Sequence, residues 1–133
     1  MSPFIVAQSV STIGPLHRVW GWYAVGLMAA MGMWGLALAV MKRQPGRTYW
    51  WGFGIATTAI IAQVGMGIYA LSVDGIEPGN QHVFYGVVIM FTLAFAYIYR
   101  MQLAKRPALS YALLALFLMG LAIRAIANFG QNF

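Results

Sequence analysis

Four stretches of this chain carry no charged residue. They run between Arg18 and Lys42, Arg47 and Asp74, Glu77 and Arg100, and Arg106 and Arg124. Each is close to the length a helix needs to cross a bilayer, about 20 mostly apolar residues with a range of roughly 17–25. Lipid offers the backbone no hydrogen-bond partner, so only helices and closed barrels span it. The stretches lack the alternation of barrel strands. Helices are therefore expected at about 16–41, 48–73, 81–104 and 107–128. Composition agrees. The chain is 62% hydrophobic and 8% charged, against about 25% charged residues in a soluble domain. So few charges cannot cover a water-facing surface. This excludes a soluble enzyme, a disordered tail and a nucleic-acid-binding domain. The net charge of +6 comes from eight cations and two acids, most of them at span ends. There is no Cys, which rules out disulfides, thiolate catalysis, iron–sulfur clusters and Cys-ligated zinc.

The connections are short. Pro45-Gly46 marks the first, Asp74-Gly75 and Pro78-Gly79 the second, and Pro107 ends the third. Short connections set consecutive helices side by side, so the expected fold is all-α, a single domain with an up-down-up-down four-helix transmembrane bundle. The first and third connections hold Lys42, Arg43, Arg47, Arg100, Lys105 and Arg106, whereas the second holds only Asp74 and Glu77. Lys and Arg mark cytoplasmic loops, so both termini are expected outside, in the periplasm for an inner-membrane protein. Tyr49, Trp50 and Trp51 fall where an aromatic belt would lie at the inner face, and Trp20, Trp22 and Tyr23 do so at the outer face. Residues 1–15 lack the basic start and long apolar run of a signal peptide. They read as an outer-face lead-in, with Pro15 near the start of the first helix.

The chain has two histidines, His17 and His82. One opens the first span and the other opens the third, so both lie at the same depth. First and third helices are diagonal in such a bundle, and two imidazoles reaching inward from opposite walls can supply both axial ligands of one haem iron. Their contexts repeat: His17 is followed by Val19, Trp20 and Gly21, and His82 by Phe84, Tyr85 and Gly86, both in an H-x-x-aromatic-Gly pattern. Gly21 and Gly86 lie one turn below each histidine on the same helix face, where a missing side chain leaves room for a flat macrocycle or for close helix packing. The repeat suggests two αα-hairpins related by a pseudo-twofold axis along the membrane normal.

Arg124 sits among apolar residues near the outer end of the fourth span, level with Arg18. A cation at that depth snorkels, pairs or has a function. Together they suit two haem propionates through charge-assisted hydrogen bonds; pairing of Arg124 with Asp74 or Glu77 is the alternative. Gln63, in the middle of the second span, is expected to make an interhelical hydrogen bond. Met28, Met31 and Met33 read as packing residues.

The segments Leu16-His-Arg-Val-Trp-Gly-Trp-Tyr, Ala62-Gln-Val-Gly-Met-Gly-Ile-Tyr and Gln81-His-Val-Phe-Tyr-Gly resemble one half of the heme A synthase family. That family is built from two four-helix bundles, each with a histidine pair, and one half carries a bis-histidine haem b. The resemblance implies that His17 and His82 are axial ligands and that Gln63 corresponds to a glutamine recurring in the helix between them. Two departures limit it. This chain is one bundle, and residues 11–16, Ser-Thr-Ile-Gly-Pro-Leu, lack the glutamate that precedes the first histidine of the synthase's catalytic bundle. The resemblance therefore carries the cofactor scaffold, without the methyl oxidation.

The expected protein is thus a small membrane-bound cytochrome b with one haem b per chain, metal-bound by His17 and His82, with Gly21, Gly86, Arg18, Arg124 and Gln63 around the cofactor. Two strong axial ligands saturate iron and favour electron transfer, so no catalytic activity of its own is expected. Its partners would be the membrane, other subunits of a redox complex and a quinol, with no nucleic acid. The competing readings are an accessory subunit of a respiratory or photosynthetic complex, either cofactor-free or binding chlorophyll through each histidine separately.

Overall fold

The computed structural model describes residues 3–133, with side chains from Pro15 onward. The expected lead-in falls partly outside this range: Met1 and Ser2 lie outside the described residues. Five helices follow in order: α1 (Pro3–Val40), α2 (Arg47–Ser72), α3 (Asn80–Ile98), the short α4 (Arg100–Leu103) and α5 (Pro107–Ala127), with no strand among the described residues. Four segments are long and apolar enough to cross a membrane: Pro15–Val40 of α1, then α2, α3 and α5. The chain is an all-α four-helix bundle with the character of a multi-pass membrane protein.

Two boundaries differ from the sequence reading. The lead-in is helical from Pro3 and continuous with the first span, so Pro15 lies inside α1. Proline there removes one backbone donor. The third span ends at Ile98, short of 104. Tyr99 leaves helical geometry at φ −97 and ψ 21, and the Arg100 guanidinium donates to the Tyr97 carbonyl at 2.9 Å while stacking 4.4 Å above the Tyr97 ring. A cation thus satisfies a last-turn carbonyl that the helix no longer serves.

At the other end of the first span, Lys42 takes the left-handed conformation, φ 54. Its N–H donates to Ala39 O at 3.2 Å, and that of Arg43 donates to Leu38 O at 2.9 Å. This pair is the Schellman closure of α1, made with lysine at the position that glycine usually fills.

Helix α1 is the centre of the bundle. It packs on α2 and on α5, and α5 packs in turn on α3, while α2 and α3 stand apart. Each hairpin is closed, α1 with α2 and α3 with α5, but the seam between hairpins is shut only on the α1–α5 side. Lipid gives apolar side chains no hydrophobic reason to associate, so close packing must hold the helices together. The α5 face turned inward carries Ala108, Ala112, Ala115, Leu118, Ala122 and Ala125 at helical spacing, all buried. Opposite them α1 presents Gly32 and Gly35. A Cβ at Gly32 would come within 2.5 Å of Leu116 Cδ2; one at Gly35 would meet Ala112 Cβ and the Tyr49 hydroxyl at 2.8 Å and the Ala108 carbonyl at 3.1 Å.

Met28 and Met31 are core residues, as expected, whereas Met33 faces outward. Tyr49 departs from the belt reading. It is fully buried, with Trp34 edge-on at 5.4 Å and Phe53 at 6.2 Å between ring centroids. Trp51, by contrast, is exposed, as a belt residue would be. Because backbone as well as side chain blocks the space beside Gly35, Gly35→Ala should lower the stability of the folded bundle by about 1–3 kcal/mol. Gly54→Ala, where nothing lies within 4 Å of the added carbon, should leave it unchanged or raise it. Unfolding in detergent micelles measures both.

Candidate functional site

α1 and α3 have no extensive backbone contact, yet His17 and His82 meet. Their ring centroids are 6.0 Å apart and the ring planes are inclined at 79°. Both histidines are partly buried. A sequence separation of 65 residues is thus closed by the bundle geometry: α5 lies against both helices and brings the start of α3 level with the His17 turn of α1.

The surroundings of His82 decide which of its nitrogens is available. Nδ1 lies 2.6 Å from the Ala125 carbonyl of α5. A carbonyl only accepts, so the neutral ring carries its proton on Nδ1 and leaves the Nε2 lone pair free. A hydrogen bond of this kind is what orients an imidazole for metal ligation. Phe129 packs edge-on against the same ring at 5.2 Å.

The segment that follows α5 fixes the start of α3. Asn132 Oδ1 accepts from the Asn80 N–H at 2.9 Å, and Gln131 O accepts from the Gln81 N–H at 3.2 Å. These are two of the donors that the first turn of a helix leaves unpaired. In return Asn80 Oδ1 accepts from the Phe133 N–H at 2.8 Å, and Pro78 O from the Gly130 N–H at 2.6 Å. The clasp requires glycine at position 79. Its φ is 83, and a Cβ would stand 2.8 Å from Gln131 N and 2.9 Å from Gly130 C.

His17 is held differently. Gln63 of α2 donates through Nε2 to the His17 carbonyl at 2.6 Å, and the same nitrogen is 3.5 Å from His17 Nε2. His17 Nδ1 and Gln63 Oε1 are buried with no hydrogen-bond partner. The imidazole rests on Gly67, where a Cβ would sit 3.1 Å from Cε1. The expected interhelical bond of Gln63 is therefore present, and it lies at the histidine itself.

The two glycines of the repeated motif serve different purposes. A Cβ at Gly86 meets nothing within 4 Å, so that side of α3 is open. Gly21 does not face such a space. A Cβ there would stand 2.9 Å from Gln63 Nε2, so Gly21 admits the glutamine amide. Arg18 and Arg124 are both exposed. Arg18 adjoins His17 in the chain, and Arg124 adjoins Ala125, the residue that bonds His82. Asp74 Oδ2 has no hydrogen-bond partner, so this atom does not neutralise Arg124.

Gly67, Ala125 and Phe129 touch the two histidines and Asn132 caps the start of α3, and none of these contacts is evident from the sequence. In the sequence Gly67 stands only as one residue of the Ala62-Gln-Val-Gly-Met-Gly-Ile-Tyr segment, and the clasp carries no motif. Among the described residues no group of three or more His, Cys, Asp or Glu side chains converges. The two imidazoles are thus joined, among the described residues, by no third His, Cys, Asp or Glu donor. No protein-family model, curated protein or solved structure matches this chain.

The tautomer is directly testable. Nitrogen-15 spectra of the imidazoles in micelles should show neutral His82 protonated at Nδ1. Protonation at Nε2 would mean that the Ala125 bond is not formed.

Proposed function

We propose that this chain is a membrane-embedded b-type cytochrome that holds one haem b between His17 and His82 and carries electrons as a subunit or partner of a larger redox complex. The observation that carries the reading is the 6.0 Å separation of the two rings across the bundle. Metal–imidazole bonds run about 2.0–2.1 Å. Two of them, with the half-widths of two imidazoles, come to about 6 Å. Three features support a tetrapyrrole rather than a bare ion. Two imidazoles alone fall short of the four or more donors that protein-bound ions usually take, whereas a tetrapyrrole brings four of its own. The open space beside Gly86 and the unclosed seam between α2 and α3 leave room for a flat group. The segments that resemble heme A synthase include both histidines and Gln63.

In this reading His82 offers Nε2 because Ala125 holds Nδ1, and His17 is oriented by Gln63 and Gly67. Arg18 and Arg124 stand beside the two ligand turns, where guanidinium groups pair with propionates. A haem held by both imidazoles would supply one-electron transfer and little oxygen chemistry. The six cations of the first and third connections support an orientation with both termini outside; an inner-membrane location and a membrane quinol as donor are proposed with it.

Protein purified with haem should show the sharp reduced α-band of a six-coordinate b haem. His17→Ala and His82→Ala should each abolish it. His82→Met should keep haem and raise the midpoint potential, as methionine ligation does in cytochromes c. A haem-free protein that still assembles normally would support the accessory-subunit reading, and extraction of a magnesium pigment would support chlorophyll ligation.

A further inference from the structure

On the outer surface of the bundle α1 and α2 line an open groove of about 850 Å³ with an almost wholly apolar lining, which runs from Arg47 to the turn below His17. That volume lies within the 300–1,000 Å³ range of small-molecule sites. Trp20 and Leu27, seven residues apart on one face of α1, form one wall, and α2 from Arg47 to Ala62 forms the rest. At 1.5 Å per residue the α2 stretch runs about 22 Å. This is a good part of the roughly 30 Å hydrocarbon core.

The two ends differ in chemistry. The far end is fixed, because the Trp20 indole donates to the Ala59 carbonyl at 2.9 Å. The near end holds the exposed Arg47, with Trp50 and Trp51 beside it. Lys42 and Arg43 stand in the same connection, which has no acidic residue. Between the ends, the missing side chain of Gly54 leaves open space. A long apolar slot with a cation at one mouth is complementary to an amphiphile with a long chain and an anionic head.

We propose that this groove binds one anionic phospholipid from the leaflet facing the first connection, with its phosphate at Arg47 and an acyl chain lying past Gly54 toward Trp20. Trp50 and Trp51 flank the head group, as amphipathic rings do at a membrane interface. Its charged mouth at Arg47 lies sixteen residues along α2 from Gln63, so a lipid head group there needs nothing bound between the histidines.

The test uses the full chain in phosphatidylcholine nanodiscs doped with phosphatidylglycerol, with bound lipid read by native mass spectrometry. Wild-type protein should retain one phosphatidylglycerol in preference to phosphatidylcholine. Arg47→Gln should reduce that preference about fivefold, the effect of one basic residue at an anionic surface. Gly54→Leu should lose the retained lipid while keeping the cation. Arg100→Gln, which removes a cation outside the groove, should change nothing; circular dichroism checks that each variant is folded. Equal retention of the two lipids by wild type overturns the proposal. So does an equal loss in Arg100→Gln, undiminished binding in Gly54→Leu, or the recovery of a prenylquinone or a second copy of the chain in place of phospholipid.

Discussion

The close approach of α1 to α5 is the contact on which the rest of the bundle rests. It depends on absent side chains: Gly32 and Gly35 on one helix, and a line of alanines on the other. Small residues let two backbones come near enough for dispersion forces to act, which is the main source of association between helices in lipid. α1 is also the partner of α2, and α5 the partner of α3. Separating this seam would leave two hairpins joined only by the α2–α3 connection, with one histidine on each.

Placed by that seam, the two imidazoles differ in how they are held. His82 has a short hydrogen bond to a carbonyl on the neighbouring helix and an aromatic ring against its edge. His17 is steadied through its backbone carbonyl by Gln63, and its ring keeps one nitrogen without a partner. A buried polar atom without a partner is costly. Such a cost is commonly retained where a ligand will complete the set. The asymmetry also explains why Gly21 and Gly86, equivalent in the repeated motif, are not equivalent in space: the α1 position is occupied by Gln63 and the α3 position is open.

Much of this is legible in the sequence, for identifiable reasons. The spans are visible because a charge in hydrocarbon is expensive, so Arg18, Lys42, Arg47, Asp74, Glu77, Arg100 and Arg106 bracket them. The pairing of His17 with His82 is visible because depth in the membrane follows from position within a span. What escapes is whatever depends on one particular contact. The early end of α3 at Ile98 comes from local hydrogen bonding around Tyr97 and Arg100, inside a stretch that remains apolar for another residue. The burial of Tyr49 depends on the glycine opposite it, Gly35. The clasp of residues 128–133 on α3 is carried by main-chain groups, two asparagines and Gln81, which leave no periodic trace.

That clasp has a consequence for the order in which the molecule is made. The start of α3 is not capped, and His82 is not oriented, until Ala125, Phe129 and Asn132 have been synthesised. His17 and Gln63, by contrast, need only the first hairpin, which is complete well before. One half of the site therefore matures early and waits for the other. The arrangement that sets the two imidazoles face to face therefore exists only after the fourth span has been made.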